Sequence, residues 1–337
     1  MGWDIHLRPA REGLCCPQAG VYIDPVRPVE TAIITHGHAD HARAGHGTVY
    51  ATPETLAIMA ARYGANFAED PRPLPYGETV TIGPYRYCLH PAGHVLGSAQ
   101  VLMETDNGRA VVSGDYKRQA DPTCAPFELV PCDLFVTEAT FALPVFRHPE
   151  ARDEIEKLRH SLSLFPERSH LVGAYSLGKA QRVIALLREA GHDRPIYLHG
   201  AMEKLCALYE DHGVALGPLL PVKEAERDAL AGEIILCPPG ALADLWSRRF
   251  GDPVAAFASG WMRVRARARQ RGVELPLVIS DHGDWEDLCT TIVETGASEV
   301  WVTHGQEDAL VHWCQTQGIA AKPLRMVGYG DEDEAAA

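Results

Sequence analysis

The sequence lacks several features that mark common protein classes. None of its 337 residues lies in a run approaching the roughly 20 apolar residues of a membrane span. The N-terminus, MGWDIHLRPAREG, has no apolar core of a signal peptide. We therefore expect a soluble, cytoplasmic protein without a membrane partner. No two of the nine cysteines form a C-x-x-C pair, which excludes a zinc ribbon or redox motif of that spacing and indicates reduced, mostly buried thiols.

Positive charge is also scarce. The 31 Lys and Arg residues are outnumbered by 45 Asp and Glu residues, giving a formal net charge of −14. This argues against a protein that coats nucleic acid non-specifically, because neutralising phosphates requires an excess of basic residues. A nucleic-acid enzyme is still compatible, since a site for divalent cations needs carboxylates and a local basic patch can hold the strand.

The chain has three parts of different texture, followed by a tail. Residues 1–143 contain short apolar strands broken by Gly, Pro and Asp, with a hairpin signal in the Asp-Asn-Gly sequence at 106–108. Residues 144–272 alternate helix-length and strand-length segments, which predicts βαβ units and a parallel sheet. From 273 to 329 two helices alternate with strands, the last strand being PLRMVG. The acidic tail, 330–337, is expected to be disordered.

The most informative segment directly follows the apolar residues 31–34. It reads Thr-His-Gly-His-Ala-Asp-His and places His36, His38, Asp40 and His41 within six residues. Neutral imidazole and carboxylate are ligands of zinc and similar divalent ions, and core packing does not call for four such groups so close together. The alternative is a polar turn with incidental histidines. We interpret the segment as part of a metal site.

This H-x-H-x-D-H spacing resembles the signature of the metallo-β-lactamase superfamily, whose later motifs follow in order. GHVLGS supplies His94 in a glycine-flanked turn, and VVSGD supplies Asp115 at the end of a strand. The resemblance implies two divalent ions, zinc or alternatively manganese, that activate water and stabilise phosphoryl charge. The implied ligands are His36, His38 and His94 for one ion, Asp40, His41 and His304 for the other, and Asp115 as a bridge.

The segment inserted after residue 143 resembles the β-CASP insertion of the superfamily's nuclease branch. This implies an α/β fold, an αββα sandwich with an inserted α/β domain. TEATF and ISDHGD then supply Glu138 and His282. By resemblance, His282 would protonate the leaving oxygen of a phosphodiester, with Glu138 orienting it and raising its pKa. Alone, Glu138 could be a helix cap and His282 a structural histidine. We expect Asp40, Glu138 and His282 to be catalytic.

Two segments of the insertion are candidates for binding substrate. Residues 173–182, GAYSLGKAQR, end a strand and open a helix, so Ser176 and Lys179 could receive a phosphate, although the Walker A spacing is absent. RVRARARQR at 263–271 begins with Arg263 and Arg265, whose side chains would share one face of a strand but spread around a helix. A solvated surface run is the alternative to a phosphate contact. We expect the insertion to close over the metals and admit a strand but not an undistorted duplex.

The N-terminal LRPAREGLCCP, with YIDP, RPV and TEATFALPVFRHP, resembles the bacterial ligase-associated DNA exonuclease family along nearly the whole chain. This implies a DNA exonuclease acting in repair with an ATP-dependent DNA ligase and a helicase. His304 departs from the pattern, because Artemis-like DNA nucleases tend to have an apolar residue there and RNA-processing members a histidine. An RNA-processing ribonuclease is therefore the alternative. A thioesterase or lactamase should lack the insertion, and a non-catalytic module should have lost ligands.

Overall fold

The computed structural model describes residues 2–326, which fall into two compact units. One unit consists of the residues up to Phe146 and those from His282 onward, and the other is Arg147–Asp281. The predicted α/β fold class is confirmed. The predicted acidic tail, 330–337, lies outside the described residues. No helix within residues 2–326 is long and apolar enough to cross a membrane.

The first unit contains two sheets, and elements are numbered in chain order along the whole sequence. The six-stranded sheet has the order β1-β2-β3-β4-β5-β6, antiparallel up to β3 and parallel beyond it. Its strands are β1 (Arg8–Pro9), β2 (Leu14–Cys16), β3 (Val21–Ile23), β4 (Thr31–Ile33), β5 (His46–Ala51) and β6 (Ala68–Pro73).

The seven-stranded sheet of this unit has the order β19-β18-β11-β10-β9-β8-β7. Strands β7 to β10 are antiparallel neighbours, and the pairs from β10 to β19 are parallel. The predicted hairpin at 106–108 is confirmed, since it joins β9 to β10. The strands are β7 (Thr79–Ile82), β8 (Tyr85–Pro91), β9 (Ala99–Thr105), β10 (Gly108–Val112), β11 (Leu134–Ala139), β18 (Glu299–Gly305) and β19 (Ala320–Pro323).

An apolar core lies between these two sheets, where Ile23 of the first packs with Tyr87 and Trp301 of the second. Leu56 of a helix packs on the outer face of the first sheet, and Leu288 belongs to the core on the outer face of the second. The order of layers is therefore αββα. The covering helices are α1 (Pro53–Tyr63), α6 (Trp285–Thr295) and α7 (Glu307–Thr316).

Helix α1 was not predicted, because residues 1–143 had been interpreted as β-rich. Its start has clear local causes: the Thr52 hydroxyl accepts a hydrogen bond from the Thr55 amide at 3.2 Å, and Pro53 occupies the first helical position. Leu56 and Met59 are buried on one side of the helix. The Thr-Pro-Glu sequence before an apolar run was therefore an available signal.

The second unit is built on one parallel sheet of six strands, as the alternation of strands and helices predicted. The order β14-β13-β15-β12-β16-β17 places β12 and β15, both fully buried, in the middle. The strands are β12 (His170–Gly173), β13 (Ile196–Leu198), β14 (Leu219–Pro221), β15 (Ile234–Cys237), β16 (Val254–Ala258) and β17 (Leu275–Leu277). The α-helices are α2 (Ala151–Leu164), α3 (Lys179–Glu189), α4 (Gly200–Asp211) and α5 (Arg265–Gln270).

Two boundaries differ from the sequence interpretation, and the arginine run adopts one of the two conformations that the sequence left open. Strand β17 pairs with β16, so the residues just after 272 belong to the parallel sheet, and the second part of the discontinuous unit begins later than residue 273. The arginine run lies in a 3₁₀ turn, Gly260–Arg263, and in α5, which spreads its side chains around an axis. The last described strand ends at Pro323, where the sequence predicts PLRMVG to begin; Leu324 still donates to the Val302 carbonyl at 2.8 Å, and the positive φ of Arg325, +48°, then ends the extended conformation.

Candidate active site

The predicted metal ligands gather at strand ends and turns of the first unit. Four lie in the loop after β4, and the others lie in the turn between β8 and β9, just after β10, and near the end of β18. All are buried except the half-buried His304. The structure brings together His36, His38, Asp40, His41, His94, Asp115 and His304.

Asp115 occupies the centre of this cluster. Its Oδ2 atom lies 3.4 Å from His36 Nε2, 3.5 Å from His41 Nε2 and 3.8 Å from His94 Nε2. Three groups of potential ligands include Asp115, and within each group the ligand atoms lie within 4.8 Å of one another. One of them adds Glu138 and His282, and the other two consist of predicted metal ligands. One oxygen thus lies where a bridging ligand of two ions would be needed. The two groups of predicted ligands are His36, His38, His94 and Asp115, and His41, Asp115 and His304.

The residues fit divalent ions on two further observations. His38 Nδ1 and His94 Nε2 lie 3.0 Å apart, close to the separation of about 3.3 Å expected for two nitrogen ligands of one tetrahedral zinc ion. His36 Nε2 and Asp40 Oδ1 are buried and have no hydrogen-bond partner among residues 2–326. A buried polar atom without a partner is costly, and coordination to a metal would use both lone pairs.

A carboxylate that the sequence analysis missed orients two of these imidazoles. Asp24, just after β3, accepts hydrogen bonds from the Thr35 hydroxyl at 2.6 Å and from His41 Nδ1 at 2.8 Å. Because the Thr35 hydrogen points to Asp24, its oxygen accepts from His36 Nδ1 at 3.0 Å. Both imidazoles therefore carry their proton on Nδ1 and direct Nε2 towards Asp115. The YIDP sequence gave one available signal, an aspartate at a strand end.

The backbone near the ligands is also specialised. Gly114, directly before Asp115, has φ +56°, and a Cβ there would lie 2.7 Å from the Thr35 side chain. His304 adopts φ +55°, which is unusual for a non-glycine residue. Backbone strain of this kind persists only where the surrounding structure enforces it. Here it sets the direction from which His304 enters the cluster.

The predicted ligands differ in protonation state because their electrostatic surroundings differ. Burial, followed by the neighbouring histidines, lowers the pKa of His36 and of His304 well below 6.5, so both are neutral near pH 7. Burial also disfavours charge on His41, but nearby carboxylates outweigh it and raise its pKa to about 10. Burial raises the pKa of Asp115 to about 6. The carboxylates that outweigh burial at His41 are those of Asp115, Asp40 and Asp24.

These pKa values predict proton release when metal binds. Between the pKa of Asp115, about 6, and that of His41, about 10, the metal-free site holds a proton on His41 that must leave before Nε2 can coordinate. Metal loading at pH 7–9 should release about one proton per chain, and affinity should rise about tenfold per pH unit. Calorimetric titration in buffers of different ionisation enthalpy measures this number. Loading without any proton release would contradict the assignment of His41 as a ligand.

Glu138 and His282 form a pair beside the cluster. Glu138 lies in β11 rather than at a helix start, and its carboxylate contacts His282 Nδ1 at 2.9 and 3.1 Å. Both residues are buried, and the His282 ring lies 4.6 Å from the ring of His94. Because an ionised carboxylate only accepts hydrogen bonds, Nδ1 carries the proton donated to Glu138. Nε2 is then the nitrogen available for proton transfer at the site.

The predicted phosphate contacts are placed less favourably. The Lys179 side chain is fully buried and its ammonium donates to the carboxylate of Asp281 within the same unit. Ser176 is half-buried, and its carbonyl accepts a hydrogen bond from Gln181 Nε2 at 3.0 Å. A lysine committed to a buried ion pair is poorly available to a ligand. Substrate binding by Lys179 and Ser176 stays a prediction, on weaker grounds than before.

The arginine run divides into two kinds of side chain. Arg267 lies over the ring of Trp261 at 4.0 Å, and Arg271 lies over Phe257 at 5.2 Å. Stacked guanidinium groups of this type stabilise the fold through cation–π contacts. Arg263, Arg265 and Arg269 are exposed. Any phosphate contact from this run is therefore expected from the exposed arginines.

Comparison with known proteins gives relatives of two kinds. No protein-family model matches the chain. A "Probable DNA ligase" of Opitutus terrae is 28% identical over 330 residues, 95% of this chain and 31% of that protein. The "Endoribonuclease YSH1" of Mycosarcoma maydis is 27% identical over 248 residues, 60% of this chain and 28% of that protein. The chain thus spans less than a third of the length of either relative.

These similarities support the β-CASP branch of the metallo-β-lactamase superfamily. A solved structure, described as a protein of unknown function from Enterococcus faecalis V583, matches with a TM-score of 0.55 and 16% identity. It covers 81% of this chain and 75% of that chain, and it shows the fold alone. Membership of the ligase-associated DNA exonuclease family stays a prediction.

Proposed function

We propose that the chain is a two-metal phosphodiesterase that degrades DNA from an end, in repair alongside a DNA ligase and a helicase. The observation that carries this proposal is the Glu138–His282 pair beside the cluster centred on Asp115. Hydrolysis of a phosphodiester needs a proton for the leaving oxygen, and a histidine held by a buried carboxylate can supply it. A site for metal binding alone has no need of this pair.

The chain's own residues divide the work. The predicted metal ligands would hold two ions, which would supply water activation and stabilise charge on the phosphoryl group. Glu138 holds the His282 ring through Nδ1, so that Nε2 can deliver its proton to the departing oxygen. Asp40, whose Oδ2 atom lies 3.7 Å from His41 Nε2, would contribute a carboxylate to the second ion. No covalent intermediate is needed.

The choice of DNA rests on similarity along the chain. Nearly the whole chain aligns with about a third of a protein named as a DNA ligase, which supports an activity associated with ligation. The RNA-processing alternative rests on the relative named as an endoribonuclease and on His304, which lies with His41 and Asp115 in one potential ligand group. Both alternatives use the same metals and the same proton donor.

The deciding experiment uses end-labelled single-stranded and double-stranded DNA and RNA with the metal-reconstituted full chain. We expect shortening of DNA from one labelled end, with RNA cleaved more slowly and with a chelator stopping both reactions. Faster cleavage of RNA would select the ribonuclease alternative. Absence of cleavage on all four substrates, at full metal content, would reject a nuclease function.

The proposed binding of a nucleic-acid strand by the exposed arginines predicts a specific effect of replacing them. Replacing both Arg263 and Arg265 with alanine should weaken affinity for single-stranded DNA equally across sequences, because backbone phosphates carry no sequence information. Each lost phosphate contact should lower the log–log salt dependence of affinity by about one unit. Fluorescence anisotropy at several salt concentrations measures both effects. Arg86, an exposed arginine paired with Glu104 in the first unit, provides the control substitution. An unchanged affinity and salt slope in the double variant would remove this surface from the proposed binding site.

A further inference from the structure

A buried lysine lies two residues after Asp115 and has no part in the site described above. Lys117 is 2% exposed, and its Nζ donates to the backbone carbonyl of His282 at 3.4 Å. A buried ammonium group is costly unless charge and hydrogen bonds compensate it. Burial raises the pKa of Asp287, and the Lys117 charge opposes that rise, so Asp287 supplies part of the charge that compensates Lys117.

The backbone around Lys117 is fixed against the turn that carries His94. The Lys117 amide donates to the Ala92 carbonyl at 3.0 Å. Gly93, which directly follows Ala92, has φ +74°, and a Cβ there would lie 2.3 Å from the Lys117 carbonyl oxygen. Only a glycine allows so close an approach of two backbones. Lys117 therefore extends from a rigid support next to a predicted metal ligand.

The same loop binds both hydrogen-bonding groups of the peptide that joins His282 to Gly283. The amide of Gly283 donates to the Tyr116 carbonyl at 2.7 Å, while Lys117 binds the His282 carbonyl itself. Glu138 completes the connection, because its Oε1 accepts both the Tyr116 amide at 2.9 Å and His282 Nδ1 at 3.1 Å. The His282 ring is thus fixed by Glu138, and its main chain by residues directly following Asp115.

We infer that Lys117 is a positioning residue for His282. By binding the His282 carbonyl, it fixes the main chain from which the ring projects, so that Nε2 keeps its direction towards the leaving oxygen. Lys117 itself donates no proton in the reaction. This inference rests on the proposed function, in which His282 is the general acid. Small displacements of a catalytic group are sufficient to lower turnover substantially.

The test compares two phosphodiesters in the full-length, metal-loaded protein. Lys117→Met keeps the length and the apolar stem of the side chain but removes the donor and the charge. We expect kcat on an oligodeoxynucleotide to fall roughly tenfold or more. Hydrolysis of bis(p-nitrophenyl) phosphate should change little, because its leaving group needs no proton. Metal content should equal that of the wild type.

Arg118→Met is the matched control. Arg118 is the adjacent basic residue, but its guanidinium contacts Thr291 Oγ1 at 3.2 Å and Glu294 at 2.6 Å instead of His282. Removing it should leave the ratio of the two activities unchanged. If Lys117→Met does not fold, Lys117→Gln retains an N–H donor and should show a smaller loss of the same selective kind.

Equal losses on both substrates, no loss on either, or loss of metal in a folded Lys117 variant would overturn the inference. A wild-type protein that is metal-loaded but inactive on the oligonucleotide would reject the proposed function, and the inference with it. The wild-type measurement therefore separates the two failures. A general weakening of the fold would slow both reactions alike and would not reproduce the expected selectivity.

Discussion

Replacing Asp115 with alanine should remove both metal ions and reduce phosphodiester cleavage to background. Oδ2 of Asp115 lies 3.4 Å from His36 Nε2 and 3.5 Å from His41 Nε2, between the two groups of potential ligands. Its loss would leave both ions under-coordinated, with Asp40 and Asp24 as the remaining carboxylates beside His41. We expect metal content to fall from about two ions per chain to trace amounts.

Elemental analysis after growth in medium rich in zinc and manganese measures this effect. Asp70→Ala is the control, because it removes a carboxylate of the same unit that is paired with Arg72 on the surface. Thermal unfolding of both variants should be recorded in parallel. A folded Asp115→Ala protein that still holds two ions would show that the bridge is not needed. A wild-type protein with only trace metal would reject the centre altogether.

Replacing His282 with alanine should have a different signature. Metal content should be retained, because His282 contacts Glu138 and is not needed in either group of predicted ligands. Turnover on DNA should fall by roughly 100-fold or more, which is the usual contribution of a general acid. A nitrophenyl phosphodiester should be affected much less, since nitrophenolate departs without a proton.

Steady-state rates on both substrates and metal analysis of the same preparation test this result. Glu138→Gln is an informative companion, because it keeps an acceptor for Nδ1 but removes the negative charge that favours a protonated ring. We expect the turnover of Glu138→Gln on DNA to lie between that of the wild type and that of His282→Ala. An equal loss on both substrates in His282→Ala would identify His282 as a ligand or a structural residue.

The sequence was sufficient to predict site residues where several potential metal ligands lie within one short segment. Three imidazoles and a carboxylate within residues 36–41 leave few alternatives, and strand patterns place the other ligands at strand ends. Asp24 and Lys117 were missed for the opposite reason. Asp24 acts through Thr35 and His41, and Lys117 through the carbonyl of His282, 165 positions away in the chain. Such roles depend on tertiary contacts: the strand-end position of Asp24 is a local signal, but the partners of Asp24 and Lys117 are not encoded nearby in the sequence.

The arginine run shows a different limit. Alternation through residues 263–271 fits one face of a strand, yet the chain there forms a 3₁₀ turn and a short helix. Arg267 packs over Trp261, and Ala268 is buried against Phe257 and Met262. Tertiary packing therefore decided the local conformation, and a pattern of charges alone could not. The missed helix α1 differs, because its capping signal was present in the sequence.

The position of Asp24 predicts that the two halves of the predicted metal centre are thermodynamically linked. Asp24 Oδ2 accepts hydrogen bonds from the Thr35 hydroxyl and from His41 Nδ1. The Thr35 hydroxyl in turn accepts a hydrogen bond from His36 Nδ1. An ion that draws electron density from one imidazole strengthens its Nδ1–H as a donor and polarises this shared acceptor, which changes the basicity of the other imidazole. Occupancy of the two positions should therefore be coupled through Asp24 as well as through Asp115, and this coupling should weaken when Asp24 is replaced by asparagine.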